Sequence, residues 1–205
     1  MIMLKNQAGL TLDRHKTDGI PHRLMAEYLI SSGLVVNKRN HWITFHGGAD
    51  FGYLLKILSG EPLPIKEIDF FRKLKEYLCN FYDCKEIKRE VEYLNGGLSK
   101  VAKDLEVDRV GAQHQAGSDA QLTLGVFFRL RSRLKKMWKN DENCSDSKIE
   151  EQLNHRIFGL GDSINDEIYV EQQKSAAKNI AWCDETGHVN LKLGATLMDN
   201  SGMQN

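Results

Sequence analysis

Trp42-Ile43-Thr44-Phe45-His46-Gly47-Gly48-Ala49-Asp50-Phe51-Gly52-Tyr53-Leu54-Leu55-Lys56-Ile57-Leu58 reads as a strand, a sharp turn and a helix in direct succession. Residues 41–46 are rich in aromatic and β-branched side chains and are bounded by Asn40 and by Gly47-Gly48. That composition predicts a short buried strand. Phe51, Leu54, Leu55 and Leu58 then recur at helical spacing and predict a helix over 50–59. Asp50 opens this helix, where first-turn N–H groups favour an ionised carboxylate. An acid aimed out of a strand end suits a hard divalent cation. Asp is equally a common N-cap, and the stretch alone leaves both readings open.

On the N-terminal side, Leu24, Met25, Tyr28 and Leu29 share one face of a helix expected over 20–34, stopped at Ser31-Ser32-Gly33. On the C-terminal side, Pro62 and Pro64 punctuate a loop. Ile68, Phe71, Leu74 and Leu78 then give a strongly amphipathic helix over 65–78. Phe81-Tyr82-Asp83 reads as a second strand and 84–91 as a helix. Leu98, Val101, Ala102 and Leu105 give another helix, 109–117 a loop, and 118–138 the longest helix, with Leu122, Val126, Leu130 and Leu134 every four residues. Residues 139–154 are polar and read as a linker, and 159–205 as disordered or loosely attached. Short strands between helices place the chain in the α/β class with a parallel or mixed sheet. Only two strands are evident, too few to cover so many helices.

The 205 residues carry 28 Lys+Arg and 28 Asp+Glu, with 41% hydrophobic residues, 3 Pro and 17 Gly. This is a globular composition with no bulk attraction to nucleic acid. The longest uncharged stretches run ten residues, such as 28–37, where a membrane span needs about twenty. Met1-Ile2-Met3-Leu4 stops at Lys5, too short for a secretory signal. The four cysteines, Cys79, Cys84, Cys144 and Cys183, form no Cys-x-x-Cys pair and are expected to be reduced thiols.

A second candidate for chemistry is Gln113-His114-Gln115-Ala116-Gly117-Ser118-Asp119. His114 falls in a glycine-containing loop and Asp119 near the start of the long helix. An imidazole placed this way can take a proton from a water near neutral pH. The alternative is a cap residue and a loop histidine. A basic run, Arg129, Arg131, Arg133, Lys135, Lys136 and Lys139, could follow an RNA backbone. Its cations spread around the helix, which favours a solvated face.

The 42–58 stretch resembles the deadenylase subunit of the CCR–NOT complex. So do Asn95-Gly96-Gly97-Leu98 and Arg109-Val110-Gly111-Ala112-Gln113-His114-Gln115-Ala116-Gly117-Ser118-Asp119. His15-Lys16 with Gly19-Ile20, Ala26-Glu27-Tyr28-Leu29 and Tyr82-Asp83 fall in the family's order, and Phe158-Gly159-Leu160-Gly161 ends the similarity. The resemblance implies a ribonuclease-H-like fold of the DEDD exonuclease class over residues 1–161, with 162–205 a poorly ordered tail. It implies 3′ to 5′ removal of poly(A) from messenger RNA, a two-metal site holding Mg²⁺ or Mn²⁺, and four carboxylate ligands. By motif, Asp50 and Asp119 match two of those acids, and His114 matches the general base or water-positioning histidine. Poly(A) RNA, the CCR–NOT scaffold and the second deadenylase subunit are the implied partners, in cytoplasm and nucleus.

One departure bears on activity. The family's first motif, an Asp-x-Glu on its first strand, falls upstream of the matched stretch, so the chain is expected to lack it and the central sheet to be incomplete. Two dications about 4 Å apart repel by roughly 16 kcal/mol even at an effective dielectric of about 20. Two aspartates cannot balance that pair, and little or no turnover is expected of this polypeptide. A non-catalytic paralogue that binds the CCR–NOT scaffold is the alternative. So is a helical interaction domain in which Asp50, Asp119 and His114 serve as caps and loop residues.

Overall fold

The computed structural model describes residues 12–138 and 145–161. Among the described residues two helices, Leu12–Asp18 (α1) and His22–Ser31 (α2), come first. The second is shorter than its pattern suggests, because Pro21 occupies its N-cap position and Ser32 closes it by donating to Tyr28 O at 2.9 Å. Gly33 then turns the chain with φ of +74°, a conformation that costs glycine least.

The strand of the 42–58 stretch is Trp42–Thr44 (β1), followed by helices Gly48–Ser59 (α3) and Glu67–Tyr77 (α4), then by strand Phe81–Asp83 (β2). The strands are parallel, with Trp42 opposite Phe81, Ile43 opposite Tyr82 and Thr44 opposite Asp83. A parallel pair requires a crossover, and the two helices supply it. Next come Cys84–Ile87 (α5) with a 3₁₀ turn at Lys88–Glu90, Leu98–Asp104 (α6), Ala116–Trp138 (α7) and Asp146–Leu153 (α8).

Strand side chains alternate between faces, and adjacent residues of β2 accordingly serve two cores. Phe81 packs with Phe51, Leu55, Phe71, Leu74 and Ile157 on one side. Tyr82 packs with Val126, Phe127, Leu130, Ile149 and Leu153 on the other. Helices thus cover both faces of a two-stranded parallel sheet, which bears out the α/β expectation and the shortage of strands. No helix among the described residues is long and apolar enough to cross a membrane.

Two expectations are corrected. Within 139–154, the part from Ser145 onward is a capped helix rather than a linker, and its Ile149 and Leu153 are each 1% exposed. The Ser145 hydroxyl accepts from the Lys148 N–H at 3.2 Å. Residues 159–161 are not loose either. The segment ahead of them lies along β2, through His155 N to Phe81 O at 2.9 Å and a bridge between Tyr82 and Arg156. Gly161 N reaches Glu67 Oε2 at 3.1 Å. The expected tail at 162–205, the remainder of the linker at 139–144, Cys144 and Cys183 lie outside the described residues.

Candidate active site

The turn between β1 and α3 is shaped by Asp83, the last residue of β2. Its carboxylate is fully buried. It accepts N–H groups from His46 at 2.7 Å, Gly47 at 3.0 Å, Lys85 at 2.9 Å and Phe158 at 3.1 Å. Four backbone donors satisfy a charge that burial would otherwise make costly. His46 holds φ of +67°, unusual for a residue with a Cβ. A Cβ on Gly47 would overlap the Thr44 side chain. Both glycine identity and a buried acid are therefore needed to bring the chain out of the strand and into α3 at this angle.

That turn presents Asp50. The helix starts at Gly48, its N-cap position is Gly47, and no side chain caps it. Asp50 is therefore not an N-cap. It lies in the first turn with its carboxylate exposed, and it makes no hydrogen bond or ion pair among the described residues.

Across from it, the loop before α7 carries His114, exposed and held at φ of +65° after a left-handed Gly111. Asp119 lies in the first turn of α7, its N–H bonded to Gln115 O at 2.9 Å. Its carboxylate is not a cap either. Arg109 Nη1 donates to Asp119 Oδ1 at 2.5 Å and to Ser118 Oγ at 3.1 Å, while Nη2 donates to Ser99 Oγ at 3.2 Å.

Asp50, His114 and Asp119 line one open cleft of about 630 Å³ between β1 and the N-terminal ends of α6 and α7. Ile43 and Phe45 form its apolar wall, and Leu98, Ser99, Lys100, Arg109 and Gln113 are among the other lining residues. Three residues spread over seventy positions of sequence thus meet at one place, each at a strand-to-helix or loop-to-helix junction. The sequence pattern assigns no role to Arg109, Ser99 or Asp83. Arg109 and Asp83 belong to the stretches that resemble the family, and a cation ten residues ahead of Asp119 is the signal the sequence carries.

The cleft does not by itself fit a metal ion. The described residues include no group of three or more His, Cys, Asp and Glu side chains placed to hold one. One of the two acids is already matched by a guanidinium. The chain does contain one Asp-x-Glu triplet, Asp104-Leu105-Glu106. It stands at the C-terminal end of α6, off the sheet and outside the cleft, with Asp104 bonded to Lys100 at 2.8 Å. It cannot stand in for a strand-borne motif. Two members of the basic run are held by contacts within the fold: Arg131 pairs with Glu150 at 2.8 Å and Arg133 donates to Asp104 O at 3.1 Å. Lys139 lies outside the described residues.

No protein-family model matches the chain. It is 40% identical over 160 residues to the poly(A) ribonuclease pop2 of Schizosaccharomyces pombe, covering 78% of this chain and 45% of that protein. It is 44% identical over 130 residues to the probable CCR4-associated factor 1 homolog 7 of Arabidopsis thaliana, covering 63% of this chain and 47% of that protein. The chain thus spans a little under half the length of these relatives. Among solved structures, S. pombe Pop2p in its Mg²⁺ and Mn²⁺ bound form matches with a TM-score of 0.63 at 40% identity, over 75% of this chain and 57% of that one. The structure of the yeast NOT1 MIF4G domain co-crystallized with CAF1 matches with a TM-score of 0.56 at 25% identity, over 73% of this chain and 58% of that one. The RNase domain of yeast Pop2, at 24% identity and a TM-score of 0.57, shares the fold. The chain is a homologue of the Pop2/CAF1 ribonucleases and has the ribonuclease-H-like fold of their RNase domain over the part that matches.

Proposed function

We propose that this chain is part of a 3′ to 5′ exoribonuclease that shortens poly(A) tails within the CCR–NOT complex, in cytoplasm and nucleus. The observation that carries the reading is the convergence of Asp50, His114 and Asp119 on one cleft, in a homologue of named poly(A) ribonucleases. In this reading Asp50 and Asp119 are the carboxylates the chain contributes to a divalent-metal centre, Mg²⁺ or Mn²⁺. His114, exposed at the loop, accepts a proton from the attacking water or orients it. The RNA 3′ end enters between the apolar wall of β1 and the Arg109 side.

The chain as it stands supplies two of the acids such a centre uses, and its turnover is accordingly weak or absent. That favours, for this polypeptide, a role as a deadenylase-like protein bound to the CCR–NOT scaffold and the second deadenylase subunit. The co-crystal of CAF1 with the NOT1 MIF4G domain supports that partner class.

The test is a time course on 5′-labelled oligo(A) with Mg²⁺ or Mn²⁺, beside binding of the chain to an immobilised MIF4G domain. Scaffold binding with slow or no shortening is the expected result. Turnover equal to that of a complete homologue at matched metal would overturn the half-site account.

A further inference from the structure

The mismatch between a metal-type cleft and its contents has a specific author in the structure, the Arg109 side chain. The ionisable residues lining the cleft, histidine apart, are Asp50, Asp119, Lys100 and Arg109, so two acids face two bases. Lys100 is turned to Asp104. Arg109 is turned inward: one nitrogen takes Asp119 Oδ1 and the Ser118 hydroxyl, and another takes the Ser99 hydroxyl. The Arg109 side chain is 20% exposed and the Asp119 side chain 35%. It is anchored to α6 through Ser99 and to α7 through Ser118, and it cannot leave Asp119 without giving up those bonds as well.

We infer that Arg109 is the resident cation of this cleft: it takes the Asp119 oxygen that a divalent ion would take, and so makes the chain as it stands indifferent to such ions. A dication on the same carboxylate would stand within a few ångströms of the guanidinium, and two like-signed charges that close repel. With only Asp50 as a second acid, nothing in the described cleft offsets that repulsion.

The inference rests on reading Asp119 as a metal-type carboxylate, and the experiment separates the two. Mn²⁺ binding is followed by loss of the free-ion EPR signal on titrating the full chain, with folding checked by circular dichroism. The wild type is expected to show no saturable binding below millimolar Mn²⁺. Arg109→Gln and Arg109→Met, which remove the charge with and without polar capacity, are expected to bind at least about tenfold more tightly. Two charge-free variants keep the test available where one of them fails to fold. Arg109→Lys, which keeps the charge, should behave as wild type. Adding Asp119→Asn to Arg109→Gln should erase the gain. If both charge-free variants bind no more tightly than wild type, the inference is wrong, and a wild-type affinity that Asp119→Asn abolishes would then leave the reading of Asp119 standing. If the gain survives Asp119→Asn, the ion sits elsewhere and both fail.

Discussion

Arg109 and Asp119, ten positions apart, meet in an ion pair of 2.5 Å at the mouth of the cleft. The pair joins the loop after α6 to the first turn of α7 and takes the place of a cap on that turn. Its members are partly exposed, so water screens part of the attraction. A double-mutant cycle with Arg109→Met and Asp119→Asn, read by urea denaturation, is expected to give a coupling of about 1–2 kcal/mol. Coupling near zero would mean that the two side chains do not hold each other.

Asp83 is expected to be the least replaceable acid among the described residues. Four backbone N–H groups from three separate segments converge on it with no access to water. Asp83→Ala leaves all four unsatisfied, at a cost of about 3 kcal/mol or more. Asp83→Asn keeps the shape but loses the charge and offers hydrogens where acceptors are needed, and should cost about 2 kcal/mol. Chemical denaturation of the two variants checks the order. A neutral effect of Asp83→Asn would contradict the geometry.

Helix α8 is held by burial rather than by composition. Truncating Ile149 or Leu153 to Ala, each 1% exposed, should cost about 2–4 kcal/mol. Limited proteolysis should then cut first at residues 145–161. Equal stability in both variants would return this segment to the status of a linker.

His155 makes stability depend on acid. Its imidazole Nε2–H donates to Cys79 O at 2.9 Å. Burial, first, and the charge of Lys75, second, push its pKa from 6.5 down to about 4, against the opposing hydrogen bond. Between those values the unfolded chain takes up a proton that the folded one refuses. Stability therefore falls as pH drops through that window, by about 2 kcal/mol from this group between about pH 7.5 and about pH 5. His155→Gln should remove that component from urea midpoints measured at the two values, and an unchanged pH slope would contradict it. Lys75, pushed by burial to about 8 from 10.5, acts in the alkaline window, where stability again falls as pH drops from 10.5 toward 8.

Much of this was legible in the chain itself. β1 and α3 announce themselves because a strand and a helix have different periods, and the switch at Gly47-Gly48 is abrupt. The cleft's three residues were legible only as family motifs, since neither spacing distinguishes a ligand from a cap. Helix α8 was hidden because only Ile149 and Leu153 carry its buried face, two positions among polar neighbours, and two points set no period. Asp83 shows locally only as a strand residue, because His46, Gly47 and Phe158 reach it from distant positions and Lys85 alone is near in sequence. The role of Arg109 is hidden in the sequence because it depends on how α6 and α7 dock, and that is settled by packing of Leu105 and Leu122 in the core, not by local pattern.

The most direct measurement transplants the cleft into a complete domain. Residues 42–138 of this chain would replace the matching stretch of S. pombe Pop2, and shortening of 5′-labelled oligo(A) would be timed with Mn²⁺. The account expects a folded chimera that removes nucleotides stepwise from the 3′ end. Asp50→Asn and Asp119→Asn should abolish that activity, and His114→Ala should slow it by about 100-fold or more. A chimera that is active but unaffected by these three substitutions, or folded and inert, would contradict the assignment of Asp50, His114 and Asp119 to one cutting site.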